Sequence, residues 1–329
     1  MEISVIMPHL EVYGGIRRIV EISNNWIDLG HKVTIYHPEG TPCSWLETRF
    51  DTKALSNLLD KKHEVLLSVG HHFDIYKKAI SDKKVTYYLG IYALNRVSYF
   101  KAIKIYLKGY REYEYFRQDP TNMIDAYTYD DVKITVSTWM KNWLYLHYGK
   151  NVHVVHGGVN LEMFKPYKIE KPNDGTIKVL SFGRNKIWKD QDTIKEAVRL
   201  ANKIDNRICL HTYDGKGLTQ ESLAREYSSA DIFINAEIFG GWSNPTAEAM
   251  ACGVPVITTD VGAVRDFAID GYNALFVPRK NPRYLATQIL NLARNEPWRK
   301  YLSQNGLSTI AQFTWEKSAQ KLIDIFNEY

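Results

Sequence analysis

The 329-residue sequence has few cysteines and no long apolar run. Cys43, Cys209 and Cys252 are widely separated, which excludes a disulfide framework and a cysteine-rich metal site and favours a reducing compartment. No stretch approaches the roughly 18 apolar residues that a membrane span requires. The first ten residues, MEISVIMPHL, lack the basic segment of a signal peptide and predict a buried strand. We therefore expect a cytoplasmic protein.

The sequence also lacks a large excess of charge of either sign. Lys and Arg number 42 against 37 Asp and Glu, which gives a formal net charge of +5. This mild charge is compatible with an anionic ligand or an anionic membrane surface and identifies neither. The sequence contains no P-loop, no serine nucleophile elbow and no His/Cys/Asp cluster with metal-ligand spacing, so we expect none of these sites.

Strands alternate with helices along the first half of the chain. A strand over 2–7, a glycine turn at Gly14-Gly15, a helical pattern and a strand over 32–36 make a βαβ unit. Folds of this kind place ligands at the turn after the first strand. The two glycines fit such a ligand-facing loop, and they also fit a simple tight turn.

The same alternation resumes at residue 177. It follows a polar segment over 165–176 that contains two prolines and an Asn-Asp-Gly run, a composition typical of a linker. A chain of this length fits two domains of about 150 residues. We predict two doubly wound, Rossmann-like α/β domains with parallel sheets, over 1–165 and 166–313, that face each other across a cleft.

The most informative stretch covers residues 237–278. A glycine-rich loop runs into Asn244-Pro245, where a helical pattern begins. Asn is a favourable helix cap, and Pro at the first helical position gives up an N–H that has no partner there. The positive end of the helix dipole suits an anion such as a diphosphate.

Two cations follow a strand of the same predicted domain. Gly183 and Arg184 follow the strand over 177–182, and Lys189 lies five residues beyond Arg184 in the same loop. A lone cation in a loop is usually solvated, whereas two at the carboxyl end of a strand can clamp a diphosphate. Charge-assisted hydrogen bonds of this kind are worth roughly 1.5–3 kcal/mol each. We predict such a clamp.

Two further polar motifs each have two interpretations. His71 and His72 follow the buried strand over 63–70 and fit either a ligand contact or acid–base group, or a capping position. Asp190 and Asp192 have the spacing of a metal-binding Asp-x-Asp motif, yet they open a predicted helix, where carboxylates favour the dipole. We expect no metal site there.

Residues 92–116 combine aromatic and basic side chains at helical spacing. The pattern fits a helix packed on the sheet with its lysines in water, or a peripheral helix over 99–113 at the inner membrane surface. Stacking on nucleic-acid bases needs a similar mixture of residues. No other feature supports that interpretation, so we expect no nucleic-acid partner.

Five segments together resemble glycosyltransferase family 4. They are Gly14-Gly15 with GHKVTIY (30–36), HGGVNLEMF (156–164), FGRNKIWKD (182–190), ADIFINAEIFGGWSNPTAEAMACGVPVITTDVGA (230–263) and FTWEKSAQKL (313–322). The resemblance covers nearly the whole chain. It implies the two-domain GT-B fold, a nucleotide-diphosphate sugar as donor, and a final helix over 314–329 that crosses back onto the first domain.

The resemblance also implies roles for individual residues. Glu248, as the second Glu of the family's E-x7-E motif, would bind the ribose hydroxyls, while backbone amides near the helix start would hold the diphosphate and the sugar. The predicted donor-binding residues are Gly15, Arg184, Lys189, Tyr213, Gly241, Ser243, Asn244, Thr246, Ala247 and Glu248.

The chain departs from the family at the first Glu of that motif, which is replaced by Gly240. Glu237 is the predicted substitute, and Glu237 and His72 are the predicted catalytic residues. We predict a retaining, metal-independent glycosyltransferase without cofactor that uses a UDP, GDP or dTDP sugar and a glycan or lipid-linked acceptor. The alternatives are a nucleotide-sugar-binding protein that does not transfer, and a GT-B enzyme that hydrolyses or epimerises its donor.

Overall fold

The computed structural model describes residues 1–90, 125–170, 173–184, 187–215, 217–238 and 240–329. The chain divides into two compact units, the first made of Met1–His156 with Ser318–Tyr329 and the second of Gly157–Lys317. The amphipathic helix predicted over 92–116, with its membrane contact over 99–113, lies outside the described residues. Within the described part of the chain, no helix has the length and apolar character needed to cross a bilayer.

The first unit is built on a seven-stranded parallel sheet with the order β3-β2-β1-β4-β5-β6-β7. The strands are β1 (Glu2–Ile6), β2 (Lys32–His37), β3 (Asp51–Ala54), β4 (His63–Ser68), β5 (Ser81–Tyr88), β6 (Val132–Thr135) and β7 (His153–Val154). Its helices include α1 (Gly14–Asp28), α2 (Phe73–Lys78), α3 (Thr138–Tyr148) and the 3-10 helix Leu55–Asp60.

The second unit contains a five-stranded parallel sheet with the order β12-β11-β10-β8-β9. The strands are β8 (Ile177–Phe182), β9 (Ile208–Tyr213), β10 (Ile232–Asn235), β11 (Val256–Thr259) and β12 (Leu275–Val277). The helices are α4 (Gln191–Asn202), α5 (Gln220–Ser228), α6 (Asn244–Ala251), α7 (Pro282–Arg294) and α8 (Glu296–Ile310), with 3-10 turns at Ile187–Lys189 and Gly262–Asp266. The last helix, α9 (Trp315–Glu328), begins in this unit and continues in the first.

Both faces of the second sheet are covered, which explains why its strands are apolar at consecutive positions. In β10, Ile232 and Ile234 pack into the cluster that contains Ile194 of α4 and Leu285 of α7. Phe233, which points to the opposite face, packs into the cluster that contains Tyr227 of α5. Helices on both faces of a parallel sheet make the doubly wound architecture that the strand–helix alternation predicts.

The two units divide between His156 and Gly157, earlier than the linker predicted over 165–176. Gly158 passes so close to α9 that a Cβ there would lie 2.3 Å from the Trp315 backbone nitrogen. The next amide, Val159 N, donates a hydrogen bond to Phe313 O at 3.0 Å. The chain is therefore bound to the second unit from residue 158 onward.

Candidate functional site

The second sheet has a topological switch point at β8, because the strands that follow β8 in the chain are added first on one side of it and then on the other. Successive strands β8 and β9 lie on one side, while β10, β11 and β12 extend from the other edge of β8. Parallel pairing places Phe233 of β10 beside Leu180 of β8, so both strands end at the same edge of the sheet. Ligands of open parallel sheets bind outside the carboxyl ends of the strands at such a switch point. The loops that leave β8 and β10 are the two that the sequence singles out.

These two loops are bonded to each other directly. Ile238 N donates to Trp188 O at 2.8 Å. Lys189 Nζ forms an ion pair with Glu237 Oε1, and the two side chains are only 14% and 5% exposed. Two predicted functional residues from opposite loops are thus partners in a buried pair.

The cations of the first loop converge on one aromatic ring. Arg184 Cζ lies 5.5 Å and Lys189 Nζ 5.2 Å from the centre of the Phe182 ring, within the range of cation–π attraction. Gly183, between the strand and Arg184, approaches β9 so closely that a Cβ would lie 2.7 Å from Thr212 Cβ. The two cations predicted to form a clamp therefore lie over the same ring, and one of them, Lys189, is also paired with the Glu237 carboxylate.

The second loop is packed tightly against its neighbours. A Cβ on Gly240 would lie 3.1 Å from Glu237 Oε2, so the Glu237 carboxylate occupies the space beside the position of the missing motif Glu. Gly262 adopts a left-handed φ of +58°, and a Cβ there would lie 2.2 Å from Gly240 O. Gly241 O accepts a hydrogen bond from Ala263 N at 3.1 Å. Glycines at 240 and 262 permit this close backbone approach.

Helix α6 begins one residue earlier than the Asn-Pro pattern predicts. Ser243 is the N-cap residue, Asn244 is already helical and Pro245 falls within the first two helical positions. The Ser243 side chain makes no capping bond, because Asn235 at the end of β10 holds it in a ring of three hydrogen bonds. Asn235 Nδ2 donates to Ser243 Oγ at 2.8 Å and to Thr246 Oγ1 at 2.9 Å, and the two hydroxyls are 2.9 Å apart. The start of α6 is thereby attached to the end of β10 by side-chain hydrogen bonds and not by a helix-capping bond.

Glu248 lies one turn into α6 and is buried, with 5% of its surface exposed. Tyr227 of α5 donates its hydroxyl to Glu248 Oε2 at 3.0 Å. The hydroxyl of Tyr213, at the end of β9, is in turn hydrogen-bonded to that of Tyr227. Burial, the largest cause, raises the pKa of Tyr227 well above its usual value, so the phenol keeps its proton at neutral pH.

The predicted residues of the first unit lie at the carboxyl edge of its own sheet. His72 follows β4 and caps α2 with a left-handed φ of +52°. Its Nε2 is buried without a hydrogen-bond partner in the described part of the chain, and burial lowers its pKa. Burial, with the charges of His72 and His9, lowers the pKa of His71 to about 4. Gly15 lies in the first turn of α1, where a Cβ would be 3.2 Å from Leu89 Cδ1.

The structure thus groups Arg184, Lys189, Glu237 and Gly241 at one pair of loops. Helix α6 and its N-cap carry the next predicted residues, which are Ser243, Asn244, Thr246, Ala247 and Glu248. Tyr213 is linked to Glu248 through the hydroxyl of Tyr227.

Sequence reasoning missed Asn235, Tyr227 and Gly262. A polar residue that ends an apolar strand is a usable signal for Asn235, whereas Tyr227 has no local signal. Across the described ranges, no group of three or more His, Cys, Asp and Glu side chains is placed to hold a metal ion.

A family model supports the resemblance found in the sequence. Residues 159–295 match the model of the group 1 glycosyl transferases. An uncharacterized glycosyltransferase of Methanocaldococcus jannaschii is 29% identical over 220 residues, which cover 62% of this chain and 61% of that protein. A D-inositol 3-phosphate glycosyltransferase of Streptomyces bingchenggensis is 27% identical over 225 residues, 55% of this chain and 49% of the relative. The chain therefore spans less than two thirds of the length of these curated relatives.

Solved structures resemble the chain along its whole length. Sucrose-phosphate synthase from Thermosynechococcus elongatus has a TM-score of 0.77 at 16% identity and covers 99% of this chain and 98% of its own. Anabaena HepE, solved in complex with UDP-glucose, has a TM-score of 0.72 at 13% identity and covers 100% of both chains. At such low identities the likeness establishes a common fold.

Proposed function

We propose that this chain, which carries a group 1 glycosyltransferase domain over residues 159–295, transfers a sugar from a nucleotide-diphosphate sugar to an acceptor. The family resemblance and the GT-B fold class predicted from the sequence are both confirmed. The observation that carries the proposal is the junction of two loops at the switch point of the second sheet. There Lys189 of the first loop forms an ion pair with Glu237, which lies in the loop that leads into α6.

Each part of this junction has a role in the proposed reaction. Arg184, Lys189 and the N-terminus of α6 stabilise the negative charge that builds up on the departing diphosphate. Glu248 binds the ribose hydroxyls of the nucleotide, and Glu237 faces the sugar. The reaction retains the anomeric configuration and needs no metal ion, because the cations of the protein supply the positive charge. The acceptor is a glycan or a lipid-linked glycan.

Nucleotide binding is the first test of this proposal. UDP-glucose is the donor to try first, because Anabaena HepE was solved with it; GDP-mannose and dTDP-glucose follow. A ligand at 100 times its Kd should raise the free energy of unfolding by about 2.7 kcal/mol, measured as a rise in Tm by calorimetry. The absence of a shift with all three nucleotides would refute the proposed donor site.

One observation favours a second function, nucleotide-sugar binding without transfer. Gly240 stands where the motif has its first Glu, and the Glu237 carboxylate beside it is already paired with Lys189. Product analysis separates the possibilities once a donor binds. A new glycoside in the presence of a glycan acceptor supports transfer, free sugar without acceptor supports hydrolysis, and an altered donor sugar supports epimerisation. An intact donor in both conditions supports binding alone.

A further inference from the structure

A row of aromatic side chains joins the cation loop to Glu248 inside the second unit. The Phe182 ring, which lies under Arg184 and Lys189, has its centre 5.3 Å from that of Tyr213. The Tyr213 ring is in turn 5.5 Å from that of Tyr227, at an interplanar angle of 80°. The row thus begins at the diphosphate clamp and ends at the carboxylate expected to bind the ribose.

The hydroxyls of Tyr213 and Tyr227 form a chain of hydrogen bonds in which each group donates to the next. Tyr227 donates to Glu248 Oε2 at 3.0 Å. A hydroxyl has a single proton, so Tyr227 must accept the proton of Tyr213 in their mutual bond. The chain therefore runs from Tyr213 through Tyr227 to the carboxylate. Because each donor polarises the next, such a chain strengthens the bond to its final acceptor.

The Tyr227 ring is packed among other aromatic rings. The residue is fully buried, and its ring contacts Phe164 at 6.2 Å and Phe233 at 5.4 Å between ring centres. A donor held this rigidly defines the orientation of the carboxylate that it contacts. A phenylalanine would fill nearly the same volume without donating a hydrogen bond, which makes the role separable from packing.

We propose that Tyr227 is a positioning residue that orients the Glu248 carboxylate toward the ribose hydroxyls of the donor, with Tyr213 supporting it through their shared hydrogen bond. This inference rests on the proposed function, because it assumes that Glu248 contacts the ribose. It adds a residue from α5, which lies outside the loops described above. It also makes a specific statement: Tyr227 matters for a nucleotide only when the ribose carries hydroxyls.

The test compares UDP with 2′,3′-dideoxy-UDP on Tyr227→Phe by isothermal titration calorimetry. Loss of a hydrogen bond to a charged acceptor is expected to weaken UDP binding about tenfold. Binding of the dideoxy nucleotide should change less than about twofold. In a Glu248→Ala background, Tyr227→Phe should cause no further loss of UDP affinity, because the interaction that it supports is gone.

Tyr88→Phe is the matched control. Tyr88 is a buried tyrosine of the first unit whose hydroxyl donates to Ala126 O at 2.6 Å, so the variant loses a buried hydrogen bond outside the unit that contains Tyr227 and Glu248. It should lower Tm and leave UDP affinity unchanged. If Tyr227→Phe does not fold, Tyr213→Phe serves in its place, because it keeps the bond between Tyr227 and Glu248. It should weaken UDP binding by less than the tenfold expected for Tyr227→Phe and leave binding of the dideoxy nucleotide unchanged.

The outcomes separate this inference from the proposal on which it rests. Equal weakening of both nucleotides, unchanged UDP affinity, or an additive loss in the Glu248→Ala background would overturn the positioning role while the donor site stands. Failure of the wild-type protein to bind UDP, GDP or dTDP would overturn the donor site and the positioning role with it.

Discussion

Lys189 and Glu237 form an ion pair whose two side chains are 14% and 5% exposed. A diphosphate bound at Lys189 places further negative charge beside the Glu237 carboxylate, so the ligand and the carboxylate compete for one cation. Breaking a buried pair by removing one partner leaves the other charge uncompensated. In this site the uncompensated ammonium group is the one that is proposed to bind the ligand.

Glu237→Gln should therefore separate nucleotide binding from transfer. We expect UDP to bind several-fold more tightly, because Lys189 loses its internal competitor, while turnover with a sugar donor falls at least tenfold. Calorimetry gives the affinity and product formation gives the turnover. Glu226→Gln, which removes the partner of Lys178 in another ion pair of the same unit, is the control and should change neither. Weaker UDP binding by Glu237→Gln would contradict the competition.

The lowered pKa of His71 predicts that the stability of the protein depends on pH. Burial is the main cause that lowers its pKa from 6.5 to about 4, so between these values the unfolded chain binds more protons than the folded one. The free energy of unfolding that comes from keeping His71 buried and neutral is fully present above pH 6.5 and is lost as the pH falls toward 4. His71→Asn should reduce the loss of stability between pH 7.5 and 4.5 by about 2 kcal/mol.

Denaturant unfolding at a series of pH values measures this effect. The exposed His211 is the control, and His211→Asn should follow the pH profile of the wild type. A profile for His71→Asn that is parallel to the wild type would show that His71 titrates normally. Because burial also lowers the pKa of His63 and His72, the variant should retain part of the pH dependence.

Single residues show where sequence reasoning ends. Arg184 and Lys189 are recognisable from the sequence, because they follow an apolar strand and belong to a family motif. The partner of Lys189 is not recognisable, because Glu237 lies 48 positions away and reaches it only through the bond between the two loops. The role of Tyr227 depends in the same way on contacts between elements distant in the sequence.

At the scale of elements, apolar strands and long amphipathic helices were predictable, and short polar elements were not. β10 reads IFIN and is buried at every position, so its apolar run identifies it. β3 reads DTKA and alternates exposed and half-buried positions at the sheet edge, which leaves no apolar pattern. The start of α6 was displaced by one residue because the buried amide of Asn235 binds Ser243 and Thr246.

The contact between the Gly262 turn and the 240–241 loop leads to a prediction at this scale. Gly262→Ala places a methyl group 2.2 Å from Gly240 O and 2.8 Å from Gly241 O, in a backbone conformation unfavourable for alanine. We expect the loop to shift, UDP affinity to fall at least tenfold and the free energy of unfolding to fall by about 1–3 kcal/mol.

Gly271→Ala controls for the backbone conformation alone. Gly271 has a φ of +70°, but no atom lies within 4 Å of an added Cβ. This variant should lose about 1 kcal/mol of stability and bind UDP normally. Equal effects of the two substitutions on UDP binding would show that the contact with the 240–241 loop has no functional importance.

At the scale of the whole molecule, the predicted donor-binding residues other than Gly15 all belong to the second unit. That unit has its own sheet and its own apolar clusters on both faces, so it contains the elements of a domain with an independent core. The family match over 159–295 falls within the same unit. Binding of a nucleotide without its sugar should therefore protect the backbone amides of this unit and leave those of the first unit unchanged.

Hydrogen exchange with mass spectrometry tests that expectation on the intact chain. Saturating UDP should slow exchange at least tenfold at the two loops and at the start of α6, where Ile238, Thr246 and Ala263 supply backbone amides, because bound nucleotide suppresses local opening. Exchange in β1 and β2 of the first unit should stay within about twofold of its rate without ligand. Lys189→Ala, which removes a proposed diphosphate contact, should lose the protection at a UDP concentration that saturates the wild type. Protection centred on the first unit, with the second unchanged, would place the nucleotide away from the switch point between β8 and β10.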